Sequence, residues 1–154
     1  MKKIIIMGGL PGSGKSYIAE KHNNFGATIK VDCDDLKKEC EGYDPNHPEL
    51  VHEASKKLEA EVLDKLLQGN ESFLYDTTAT NIKRIAALIK KAQANGFEVT
   101  FVYVMVSLET SLARNAQRER HVPENIIYEK FSEITDAVSY YRTIVDNFLE
   151  VKND

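Results

Sequence analysis

The sequence predicts an α/β protein, a three-layer α/β/α sandwich around a parallel five-stranded sheet. Three observations predict it. Short apolar runs alternate with longer segments of helical periodicity, the pattern of βα units whose strands lie side by side and parallel. The first of these runs, Ile4 to Met7, passes directly into a glycine-rich loop and then a helix. The later runs end on Asp32, Asp76 and Ser107, polar residues at the carboxyl edge of the sheet, where ligands bind in such folds.

Taken in order, Lys3–Gly8 reads as a buried strand, and the helix after the loop runs from Ser16 to about His22. Ala27–Val31 is a short second strand ending at Asp32, followed by a brief helix near Leu36–Cys40 and a turn-rich stretch from Gly42 to Pro48. Glu49 to Gln68 carries Leu50, Val51, Ala54, Leu58, Val62 and Leu66 at helical spacing and stops at Gly69. Ser72–Tyr75 is the third strand, ending at Asp76. Asn81 to Asn95 is an amphipathic helix closed by Gly96, a residue suited to the left-handed turn that ends helices. Phe97–Val106 is the fourth strand, Leu108–Gln117 a helix, and Pro123 opens another at its first turn. Asn147–Lys152 alternates as a fifth, edge strand. No repeat or linker interrupts the pattern, so residues 1–154 are expected to form one domain.

The 154 residues include 42% hydrophobic and 29% charged side chains, the balance of an ordinary water-facing globular protein. No apolar run reaches the length of a membrane span, and the N-terminal one is short and leads into the loop. Cys33 and Cys40 lack metal-type spacing and read as reduced thiols, which places the protein in the cytoplasm. A net charge of −4 disfavours a general nucleic-acid binder. Local polarity is stronger: 32–44 is rich in acids, and 114–121 gathers Arg114, Arg118, Arg120 and His121.

Gly9, four residues, then Gly14-Lys15-Ser16 form a complete phosphate-binding loop. Gly9, Gly12 and Gly14, with Ser13 between them, let the backbone curl so that its N–H groups face phosphate oxygens. The helix N-terminus adds positive potential, Lys15 reaches the β- and γ-phosphates, and the Ser16 hydroxyl suits Mg²⁺. The motif therefore predicts binding of a nucleoside triphosphate, taken here as ATP, together with Mg²⁺.

The remaining candidates follow the next two strands. Asp34, just past Asp32, is placed to orient an acceptor hydroxyl and take its proton, while Asp32 can hold Mg²⁺ through water. Asp35 and Lys37 would border the acceptor, though Asp34 or Asp35 can equally cap the next helix. Asp76 can hold Mg²⁺ through water or touch substrate, beside Thr77, or else cap the turn that follows. Hydrolytic ATPases set a glutamate directly after that aspartate to activate water; Thr77 stands there instead, which favours transfer to a bound acceptor. Arg114 and Arg118, four apart, are expected on one helix face, with Arg120 in the turn before Pro123: an arginine-bearing lid over the γ-phosphate, or simply a solvated basic helix end. His47 and His52 carry no accompanying metal pattern and read as surface residues.

The loop, the stretch from Val31 to Asp35, the run from Tyr75 to Thr78 and the basic segment from Arg114 to Pro123 together resemble the P-loop kinases that include zeta toxins and phage-type polynucleotide 5′-kinases. The likeness covers roughly Lys3 to Ile127 and implies a P-loop NTPase, kinase-like fold. From the polynucleotide kinases it implies Lys15 and Ser16 on phosphates and Mg²⁺, Asp34 as general base, and Arg118 as the lid arginine on the donor. Those enzymes carry an arginine after the acid pair, where this chain has Lys37. Similarity to the zeta toxins rests on Asp32 and Asp34 with the Tyr43-to-Pro48 segment, and implies a sugar-nucleotide acceptor. It also brings an antitoxin-type protein partner into view, with no residue pattern of its own here.

The expectation is thus an ATP-dependent kinase that phosphorylates a hydroxyl of a nucleotide-like or sugar-nucleotide small molecule. Two rivals stay open: a polynucleotide 5′-hydroxyl kinase, and an ATP-binding regulatory module that transfers nothing.

Overall fold

The computed structural model describes residues 1–119 and 121–154; Arg120 lies outside them. Its strands are β1 (Lys3–Gly8), β2 (Ile29–Asp32), β3 (Phe73–Asp76), β4 (Glu98–Met105) and β5 (Asn147–Lys152). They form one sheet in the order β2-β3-β1-β4-β5, and every neighbouring pair is parallel. The helices are α1 (Lys15–Lys21), α2 (Cys33–Lys38), α3 (His52–Gln68), α4 (Ile82–Ala94), α5 (Leu108–Gln117) and α6 (Glu124–Ile144).

Period-two alternation along the strands divides the interior between the two faces of the sheet. Ile4, Ile6, Phe73, Tyr75, Val99 and Phe101 face the larger core, closed by Leu63 and Leu67 of α3, Ile85 and Ile89 of α4, and Ile134, Val138 and Tyr141 of α6. Ile5, Met7, Leu74, Val102 and Val104 face the smaller one, closed by Ile18 and Ala19 of α1. The expected sandwich is present, with β5 at one edge. No helix among the described residues is long and apolar enough to cross a membrane.

Two element boundaries and one expected helix face differ from expectation, each for a local reason. Helix α2 begins at Cys33 and not near Leu36, because Asp32 itself is the N-cap: its Oδ1 accepts the Asp34 N–H at 2.8 Å. The expected helix from Glu49 is split, since Pro48–Val51 winds as a 3₁₀ turn before α3 starts at His52. Its buried stripe is also rotated. Ser55, Glu59, Leu63 and Leu67 face inward, while Leu50 is exposed. Third, α5 stops at Gln117, and Arg118 takes an extended backbone (φ −77°, ψ 146°), so Arg114 and Arg118 do not share a helix face.

The link from β3 to α4 shows how the core holds the site's edge. Ala79 is fully buried at φ 62°, a left-handed conformation uncommon for a residue with a Cβ. Its peptide groups are satisfied by side chains: Thr77 Oγ1 accepts the Ala79 N–H at 3.2 Å, and the buried Tyr141 hydroxyl donates to the Ala79 carbonyl at 2.7 Å. Tyr141→Phe removes that donor and leaves a buried carbonyl unpaired, a loss of about 1–3 kcal/mol. Urea unfolding should show a lower midpoint with an unchanged slope; wild-type stability in the variant would mean that the bond contributes nothing.

Candidate active site

Strand β1 delivers the loop, and the parallel register sets what lies beside it. Met7 of β1 is level with Asp76 of β3, and Asp76 with Asp32 of β2, so the two carboxylates are lateral neighbours at the carboxyl edge. Gly12 and Gly14 sit at φ 81° and 86°, which a Cβ would strain. Gly14 is the N-cap of α1, and the N–H groups of Gly12, Gly14, Lys15 and Ser16 find no acceptor among the described residues. Lys15 folds back over the loop, with Nζ 3.2 Å from the Gly9 carbonyl and 3.9 Å from Asp76 Oδ1.

Two clefts open along this edge. One, of about 970 Å³, runs from Gly12, Gly14 and Ser16 to Arg118 and His121. The other, of about 360 Å³, lies between α2, α3 and α4 and is walled by Thr77, Glu59 and Arg84 with Lys56 and Lys130. Lys15, Asp32, Asp34, Lys37, Asp76 and Thr78 border both. They are the shared wall.

Burial raises the Asp76 carboxyl above the ordinary carboxylate range; the Lys15 ammonium opposes the shift and the Asp32 carboxylate adds to it. Asp34 is exposed in the first turn of α2, its N–H held by Asp32. Thr77 is buried, its N–H on the Met7 carbonyl at 3.0 Å.

Several sequence-predicted residues lie elsewhere. Asp35 lines neither cleft and pairs at the surface with Lys38 at 3.9 Å. Gly9 and Ser13 lie under the loop: a Cβ on Gly9 would come within 2.6 Å of the Val104 carbonyl, and the Ser13 hydroxyl is buried without a partner among the described residues. Arg114 lies behind the loop, where Nη1 donates to the Gly12 carbonyl at 3.1 Å and Nη2 to that of Asn153 at 2.6 Å. Arg118 does line the larger cleft. Asn115 ties down the segment that carries it, donating to the Val122 carbonyl at 2.7 Å and accepting the Val122 N–H at 2.8 Å. The His121 ring nitrogen Nδ1 lies 2.7 Å from the Asn115 carbonyl, so Asn115 holds both His121 and Val122. The expected place of Arg120 lies outside the described residues.

Sequence reasoning missed the floor of the smaller cleft. Glu59 is buried and bonded to the Tyr75 hydroxyl, to Arg84 Nη1 at 2.8 Å and to the Cys33 thiol at 3.0 Å. Burial, and after it the Glu59 contact, push the Cys33 thiol up, away from the thiolate form. The one available signal was spacing: Glu59 falls four residues from both Ser55 and Leu63, on the inward stripe.

A glycine-rich loop on the first strand of a five-stranded parallel sheet, with helices on both faces, is the fold of the phosphate-loop kinases. The chain belongs to the zeta toxin family, whose model (Zeta toxin) matches residues 1–152. Among solved structures it is similar to the PezAT chromosomal toxin–antitoxin system of Streptococcus pneumoniae, with 17% identity and a TM-score of 0.79 over 100% of this chain and 68% of that one. It is likewise similar to the AvrRxo1-ORF1:-ORF2 complex with ATP, with 18% identity and a TM-score of 0.79 over 99% of this chain and 55% of that one. A third likeness is to the Pnkp1/Rnl/Hen1 RNA repair complex, with 18% identity and a TM-score of 0.72 over 90% of this chain and 46% of that one. The chain thus spans little more than half the length of the AvrRxo1 chain.

Asp76→Asn tests the electrostatics of the shared wall. With its folded pKa raised, Asp76 adds no penalty below its ordinary value of 3.8, where it is protonated folded or unfolded. As pH rises from that ordinary value through the raised folded pKa, the unfolded chain ionises more readily and the wild type loses stability, with no further loss above it. The variant should therefore equal the wild type in acid and exceed it at neutral pH by a gap that widens through the carboxylate range. A pH-independent gap in urea unfolding would contradict the assignment.

Proposed function

We propose that the protein is an ATP-dependent phosphotransferase, moving the γ-phosphate to a hydroxyl of a nucleotide-like or sugar-nucleotide small molecule. One observation carries the reading: two clefts meet at a wall made of Lys15, Asp34 and Asp76. A donor in the larger cleft and an acceptor in the smaller one would react across that wall.

The free N–H groups of Gly12, Gly14, Lys15 and Ser16 receive the donor phosphates, and Lys15 swings from Gly9 and Asp76 onto them. Asp34 accepts the acceptor's hydroxyl proton as that oxygen attacks in line, while Arg118 neutralises charge on the transferring group. Arg120 would join Arg118 in that role. Asp32 fixes the turn that presents Asp34, and Lys37 and Thr77 border the acceptor. Thr77 is engaged with backbone and supplies no carboxylate for water, which supports transfer over hydrolysis.

The residues present fit Mg²⁺, which favours a hydroxyl, one or two carboxylates and substrate oxygens over an all-protein cage. Ser16, Asp32 and Asp76 border the same cleft, and no group of three or more His, Cys, Asp or Glu suited to a metal occurs among the described residues. Ser16 would hold the ion directly, with Asp32 and Asp76 reaching it through water. Bound there, it supplies charge neutralisation of the phosphate oxygens.

The polynucleotide reading draws on a separate observation. Lys37, Lys56 and Lys130 rim the smaller cleft, so its charge admits a nucleic-acid phosphate as well as a sugar nucleotide. Incubation with γ-labelled ATP and Mg²⁺ against UDP-sugars, nucleosides and 5′-hydroxyl oligonucleotides decides. Label on a UDP-sugar or nucleoside is the expected result, and label on oligonucleotides alone would replace that acceptor. Binding of ATP without transfer to any acceptor would favour a regulatory module. With the labelled acceptor in hand, Asp34→Asn should keep ATP affinity and lower the single-turnover rate by about 10²–10⁴. An unchanged rate would leave Asp34 with no part in proton transfer.

A further inference from the structure

We infer that Asn153, acting with Arg114, is a positioning residue of the phosphate loop, holding its backbone so that the N–H groups face the ligand. The inference rests on the nucleotide reading above. Three successive carbonyls on the back of the loop are held by side chains from distant parts of the chain. Ser111 Oγ donates to the Pro11 carbonyl at 2.6 Å, Arg114 Nη1 to Gly12 at 3.1 Å, and Asn153 Nδ2 to Ser13 at 2.7 Å. Arg114 Nη1 also lies 3.4 Å from the Ser13 carbonyl, and its Nη2 grips the Asn153 carbonyl at 2.6 Å, so the two side chains form one clamp.

Peptide planarity converts that clamp into ligand geometry. In a trans peptide the carbonyl of one residue and the N–H of the next point in opposite directions. No described peptide bond is cis. Holding the Ser13 carbonyl backward therefore aims the Gly14 N–H forward, and holding that of Pro11 aims the Gly12 N–H. These are the two glycine donors left without an acceptor among the described residues. Asn153 is itself anchored beyond β5, its N–H donating to the Met105 carbonyl at 2.9 Å. Its amide packs so close that a Cβ on Gly14 would lie 2.3 Å from Nδ2. Glycine at 14 thus serves the clamp as well as the left-handed backbone.

The test is the affinity of wild type, Asn153→Ala and Asn153→Asp for ATP and for inorganic triphosphate, by calorimetry, beside the unfolding midpoint of each ligand-free protein. Asn153→Ala should weaken both ligands about tenfold at concentrations and temperatures where the ligand-free variant is still folded, whatever the fall in its midpoint. Asn153→Asp should be weaker still, because a carboxylate oxygen would face the Ser13 carbonyl at nearly the same size. A purely structural role would lower the midpoint and leave the intrinsic affinities equal. Wild-type affinity in Asn153→Ala, or in Asn153→Asp should the alanine variant not fold, overturns the inference while the nucleotide reading stands. A wild type that binds neither ligand overturns both.

Discussion

The parallel pairing of β1 with β3 is the constraint on which the site depends. It sets Met7 level with Asp76, and through β2 brings Asp32 alongside. A parallel ladder presents all its carboxyl ends at one edge, so the loop after β1 and the acids after β2 and β3 meet without further design. Because the strands are buried on both faces, register is strongly specified: a one-residue slip would turn Ile4 and Ile6 into the smaller core and Ile5 and Met7 into the larger. The cores that stabilise the protein also align the residues assigned to chemistry.

Charge is handled in two different ways along that edge. Glu59 is buried but fully engaged by Tyr75, Arg84 and Cys33, the arrangement in which a buried ion is tolerated. Asp76 is buried with the Lys15 ammonium at 3.9 Å, and burial holds its carboxyl above the usual range. In the reaction proposed above, an arriving polyphosphate that draws Lys15 away would leave Asp76 in need of another cation, the part proposed for Mg²⁺. Structure here favours function over stability, as sites commonly do.

What the sequence made legible was local. Strand runs, the glycine loop, α5 and β5 are encoded in periodicity and in residues with special backbone freedom, and they fall where those signals place them. Missed features depend on contacts between distant residues. Asp32 took the cap that the alternative reading gave to Asp34 or Asp35, because an N-cap is chosen by where the preceding strand ends. Glu59 was not singled out at all, since its partners come from α2, β3 and α4. Arg114 read as part of a lid because nothing near it in the chain reveals the loop carbonyl it holds, 102 residues away. Asn153 gave no signal at all, its partner Ser13 being 140 residues distant.

The claim at the centre is that nucleotide phosphates occupy the edge between β1 and β3. The direct measurement is a crystal structure with Mg²⁺ and a non-hydrolysable ATP analogue. The account predicts β- and γ-phosphate oxygens within hydrogen-bond distance of the Gly12, Gly14, Lys15 and Ser16 N–H groups. It also predicts Lys15 Nζ moved off the Gly9 carbonyl onto phosphate, with the Ser13 carbonyl still bound to Asn153. A nucleotide seated in the smaller cleft, or a Lys15 that stays on Gly9 and Asp76 with the analogue bound, would contradict it.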